Sequence, residues 1–155
     1  MNTRLAKLDS GEFDAIILAC AGLIRLGFES RIGASIAPEL SLPAAGQGAV
    51  GIEFREQDDR VRQLLAPLHH QETATRVLAE RAVVRCLDGG CDVPIAAFAE
   101  REGDGLWLRA RVGSADGGAL LVAEARGGDP ELLGEGVADM LLSQGAEELI
   151  RSARG

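Results

Sequence analysis

"LWLRARVGSADGGALLVAEARG", residues 106–127, decides the fold class of the chain's second half. Leu106, Leu108, Ala110 and Val112 alternate with Trp107, Arg109 and Arg111. That period of two predicts an antiparallel strand with one face buried and the other polar. "SADGG" (114–118) carries turn chemistry and leads into a second strand, "ALLVAEARG" (119–127). On the other side, "IAAFAE" (95–100) reaches the first strand through the turn "REGDG" (101–105).

Helical patterns flank these strands. Asp129-Pro130 reads as an N-cap followed by proline at the first helical position. The helix it starts is expected to run to about Ser152, with Leu133, Val137, Met140, Leu141 and Leu149 facing inward. Upstream, a helix over about 71–88 places Ala74, Val77, Leu78, Ala82 and Cys86 on one face, and Gly89-Gly90 supplies its stop. Three strands and helices predict an α+β domain from about residue 70 onward.

The first part of the chain has a different texture. Thr3 can cap a short helix carrying Leu5 and Leu8. "DAIILACAG" (14–22) is a continuous apolar run, the pattern of a strand buried on both faces of a parallel sheet. "LIRLG" (23–27) adds a helical turn, so these residues predict part of an α/β layer. In "LSLPAAGQGAVGIEFR" (40–55), Pro43, Gly46 and Gly48 make a loop, and "AVGIEF" (49–54) predicts a further strand. Asp58 or Asp59 then caps a helix bearing Val61, Leu64, Leu65 and Leu68, which Pro67 bends or ends.

Composition narrows the function classes. The 155 residues are 46% hydrophobic and only 3% aromatic, which predicts an aliphatic core. A net charge of −8 argues against binding driven by neutralising nucleic-acid phosphates. No apolar run approaches the roughly 18 residues of a membrane span, and charges at Arg4 and Lys7 break any signal-peptide pattern. Three cysteines, an odd number, fit a reducing, cytoplasmic setting better than a disulfide framework.

The cysteines are the first candidates for chemistry. Cys20 lies in the most apolar run and Cys86 on the apolar helix face, so both are expected in the core. Cys91 differs, since "LDGGCDVP" (87–94) sets it on a glycine-hinged connection before Pro94. Local chemistry leaves it open whether Cys91 is a small buried hydrophobe, a metal ligand or an exposed nucleophile. His69, His70, Cys86 and Cys91 lack zinc-site spacing, so no metal is expected.

Several segments together carry the reading further. "NTRLAKLDSGEFDAIILACAGLIRLG", "SLPAAGQGAVGIE", "ETATRVLAERAVVRCLDGGCDVPIAAFAE" and "LRARVGSADG" resemble, in order and spacing, the porphobilinogen deaminases, also called hydroxymethylbilane synthases. The resemblance spans essentially the whole chain and corresponds to about the C-terminal half of a full-length member. It implies partial α/β lobes of periplasmic-binding-protein type followed by the α+β domain. Residues 1–45 would be the back half of the family's domain 2. Residues 46–68 would be the crossover returning to domain 1, and 70–155 the third domain.

The implied activity is a transferase of haem and related tetrapyrrole synthesis. It joins porphobilinogen units head to tail, releases ammonia, and frees the linear product by hydrolysis. The cofactor would be one covalent dipyrromethane per chain, attached as a thioether. Cys91 matches the family's attachment cysteine, and a soft sulfur nucleophile suits addition to the electrophilic methylene of an activated pyrrole. Arg4 and Arg25 match arginines that hold the acetate and propionate arms, and Gln47 matches a position near the primer. Arginine's planar fork pairs bidentately with such carboxylates.

The family's proton-handling aspartate belongs to an N-terminal region outside these residues, so the fragment alone is expected to be inactive. Full-length members resemble monomers. The fragment is expected to associate, or to need an N-terminal half, because Ile16, Ile17 and Leu18 would stand uncovered. The competing expectation is a non-catalytic binding module derived from the family.

Overall fold

The computed structural model describes residues 2–90 and 93–154. The chain divides into two units, one up to Ala37 and one from Pro38 onward.

The first unit is small. Helix α1 (Asn2–Asp9) buries Leu5, and helix α2 (Cys20–Arg25) buries Leu23. A 3-10 turn follows at Glu29–Arg31, whose Arg31 pairs with Asp9. Thr3 lies inside α1 rather than capping it.

The second unit holds the sheet. Helix α3 (Asp59–Leu65) is capped by the Asp58 side chain, which accepts from the Val61 N–H, and passes into a 3-10 turn at Ala66–Leu68 containing Pro67. Helix α4 (Gln71–Cys86) precedes strands β1 (Ile95–Glu102), β2 (Gly105–Gly113) and β3 (Leu120–Gly127). The strands form an antiparallel meander in the order β1-β2-β3. Helices α5 (Pro130–Ser143) and α6 (Ala146–Ala153) complete the unit. The architecture is that of an α+β domain, with α4 and α5 side by side over the sheet. None of the helices described is long and apolar enough to cross a membrane.

The core follows from the alternation in β2. Leu106, Leu108, Ala110 and Val112 are buried and meet Val83, Leu133, Val137 and Leu141 from the helices. Helices α4 and α5 approach closely at Gly134, where a Cβ would stand 2.4 Å from the Ala82 Cβ and 2.6 Å from the Ala79 carbonyl oxygen. On the other face, Arg109 and Arg111 of β2 bind Glu39 and Leu40.

Several expectations are corrected. Residues 14–19 and 49–54 form no strand among the described residues. Ile17 is 78% and Val50 87% exposed. An apolar run has strand chemistry, but it becomes a strand only where neighbours supply a ladder for its N–H and C=O groups. Cys20 is only half-buried and Cys86 is exposed, because α4 turns Ala79, Ala82 and Val83 inward instead. Leu78 and Met140 are likewise exposed. The single C-terminal helix is two, separated at Gln144 and Gly145.

Candidate functional site

Helix α4 leads to the cysteine loop, and its C-terminal end is built differently from the expectation. Its N-cap is His70, whose Nδ1 accepts from the Thr73 N–H at 3.3 Å. At the other end the left-handed residue is Asp88 (φ 49°), not a glycine. The Gly89 N–H donates to the Val84 carbonyl at 2.8 Å and the Asp88 N–H to the Arg85 carbonyl at 3.1 Å, which closes the helix as a Schellman motif. Gly89 serves packing: a Cβ there would lie 2.7 Å from Ile95 Cδ1 and 3.1 Å from Val84 Cγ1. Arg154, the residue just after α6, donates to both the carboxylate and the carbonyl of Asp88.

Beyond the loop, Val93 is buried, its N–H donates to the Gly90 carbonyl at 3.3 Å, and the Ile95 N–H donates back to Val93. Both flanks of the loop are thus held to the sheet unit. Cys91 itself lies outside the described residues.

Gln47 stands exposed on the loop between Leu42 and Ala49, flanked by Gly46 (φ 71°) and Gly48 (φ 85°). Left-handed backbone on both sides suits glycine and makes a tight double bend. The Gln47 N–H donates to the Ala44 carbonyl and the Ala49 N–H to the Gly46 carbonyl, each at 3.0 Å. Glu80 fixes this loop from within α4. One of its carboxylate oxygens accepts from the Gly46 N–H at 2.7 Å and the other from the Ala99 N–H of β1 at 2.9 Å. Glu80 is 5% exposed. Burial pushes its carboxyl above the ordinary value, outweighing the two N–H donors and Arg76, which pull it down. A cavity of about 190 Å³ beside Gln47 is lined also by Thr73, Arg76 and Phe98.

Arg4, on α1, and Arg25, the last residue of α2, are exposed. Among the described residues neither enters an ion pair, so both guanidiniums are available to an anionic ligand. Of the two cysteines described, Cys86 is poorly suited to attack: desolvation first, then Glu135, raises its thiol above the ordinary value, and a protonated thiol is a weak nucleophile.

Sequence reasoning missed Glu80, Asp88 and Arg154. A buried carboxylate on a helix face reads locally as a solvated charge, and no local signal joins it to Gly46 and Ala99.

The chain matches two models of one family in sequence order. Residues 1–63 match the model described as porphobilinogen deaminase, dipyromethane cofactor binding domain. Residues 74–143 match that described as porphobilinogen deaminase, C-terminal domain. The cofactor named by the first model is dipyrromethane.

Proposed function

Because the chain belongs to the porphobilinogen deaminase family, we propose that it serves hydroxymethylbilane synthase chemistry. Porphobilinogen units are joined head to tail with loss of ammonia, and the linear tetrapyrrole is released by hydrolysis. The observation that carries this reading is the pair of family models matched in order along the chain.

When bound, dipyrromethane supplies the primer that is extended. Cys91 is the residue proposed to hold it, through a carbon–sulfur bond formed once and kept through turnover. The pinning of Gly89 and Val93 supports that role, since an anchor must not wander. Arg4 and Arg25 are proposed to hold carboxylate arms, each as a charge-assisted, two-pronged donor. Gln47, on a loop fixed by Glu80, is proposed to border the primer.

Residues 1–45 are read as the back half of the family's periplasmic-binding-protein-like domain 2, residues 46–68 as the crossover to domain 1, and 70–155 as domain 3. The exposed Ile17, Val50 and Ile52 support this reading, because they lie in runs with the composition of strands that pair elsewhere. Residues 1–155 alone are then expected not to turn over. Product formation from porphobilinogen, with and without a separately supplied N-terminal half, tests this. Turnover only in the mixture supports the reading, and full turnover by the 155-residue chain alone contradicts it.

A further inference from the structure

The outer face of the sheet carries a buried charge that the proposed chemistry does not use. Arg109, in the middle of β2, is 6% exposed although it points away from the core. Its guanidinium lies 4.1 Å from the Trp107 ring centre and 5.5 Å from that of Phe98. It pairs with two acids of different origin. Glu100 comes from the neighbouring strand β1, and Glu39, at 2.9 Å, comes from the segment Pro38–Leu42 that crosses this face. Arg111, two residues along β2, donates to the carbonyls of Glu39 at 2.9 Å and Leu40 at 3.3 Å. Leu42 then turns inward and is buried, and Ala45 packs against the core just before Gly46 and Gln47.

The two acids are not equivalent. A buried guanidinium must keep a counter-charge, and Glu100 supplies one from within the sheet. The Glu39 side chain is 66% exposed against 43% for Glu100, so its pairing is the more open to screening by salt. Losing the Glu39 charge leaves Arg109 compensated and leaves the segment held by Arg111 and the buried Leu42 alone, so it loosens. This is the arrangement of a latch.

We propose that Arg109 is a positioning residue, latching Pro38–Leu42 through Glu39 and thereby fixing where the Gln47 loop stands on the sheet unit. The consequence for the cofactor rests on the reading that Gln47 borders it; the latch does not.

Trp107 is the chain's only tryptophan and is stacked between Arg109 and Arg126, the latter at 4.9 Å, so its emission reports on this face. The test compares the whole chain with its Glu39→Gln variant, which leaves Arg109, Glu100 and Trp107 in place. Amide exchange at Gly46 and Gln47 should rise roughly fivefold in the variant, as for loss of one partly screened ion pair. Exchange at Leu108 and Ala110 in the core strand should stay unchanged, and the Trp107 emission should shift. Sodium chloride at about 1 M should reproduce the loosening in the wild type and add little in the variant. Unchanged exchange at Gly46 and Gln47 overturns the proposal. So does loosening that extends equally to Leu108, since Glu39 would then act on the whole unit. A failure of the family reading would appear separately, as a chain without a cofactor adduct but with the same exchange pattern.

Discussion

Glu80 holds the Gly46 amide at 2.7 Å from inside helix α4, so the loop bearing Gln47 is fastened by a buried carboxylate rather than by apolar contact alone. The same carboxylate takes the Ala99 N–H, which joins loop, helix and strand at one point.

Replacing Glu80 with Gln keeps one acceptor and sets an NH₂ group against the other amide. The expected loss is about 1–3 kcal/mol at neutral pH, measured by urea denaturation. The pH dependence has a definite sign. Because the folded carboxyl sits above its ordinary value of 4.5, the folded state binds more protons than the unfolded one between 4.5 and the raised value. Stability therefore falls as pH rises through that window, in the wild type only. The wild-type advantage over Glu80→Gln should narrow as pH rises and then level off.

Helix α5 offers two glycines with opposite expectations. An alanine Cβ at Gly134 would stand 2.4 Å from the Ala82 Cβ, whereas nothing lies within 4 Å at Gly136. Gly134→Ala should destabilise by about 2 kcal/mol through overpacking. Gly136→Ala should stabilise by roughly 0.5–1 kcal/mol through helix propensity. Thermal melts of the two variants check both signs.

The entry to the cysteine loop has a similar pair. Asp88 occupies left-handed backbone that glycine adopts freely, so Asp88→Gly should stabilise by up to about 1 kcal/mol, less whatever its exposed pairing with Arg154 contributes. Gly89→Ala should cost about 1 kcal/mol, because its Cβ would push aside the Ile95 terminal methyl and crowd the Val84 side chain and carbonyl. Denaturant midpoints of the two variants should move in opposite directions.

How much was legible in the sequence depended on how local each cause is. The alternation of Leu106, Leu108, Ala110 and Val112 announces β2, since a strand flanked by hairpin turns finds its partners nearby. The cap at Asp129 and the loop around Gln47 were readable for the same reason. The runs at 14–22 and 49–54 carried strand composition, but composition does not supply neighbouring strands. Cys86 was misplaced because α4 buries Glu80 and exposes Leu78, which blurs its apolar stripe. Arg109 looked like the polar face of a half-buried strand. It is enclosed by Trp107, Phe98 and Glu100 and also pairs with Glu39, which lies far away in sequence.

The central claim is that Cys91 anchors dipyrromethane, and intact-mass measurement of the chain, co-produced with a separately supplied N-terminal half in cells supplied with porphobilinogen, tests it most directly. A dipyrromethane adduct should be present in the wild type, persist in Cys20→Ser and Cys86→Ser, and vanish in Cys91→Ser. An adduct that survives in Cys91→Ser would contradict it.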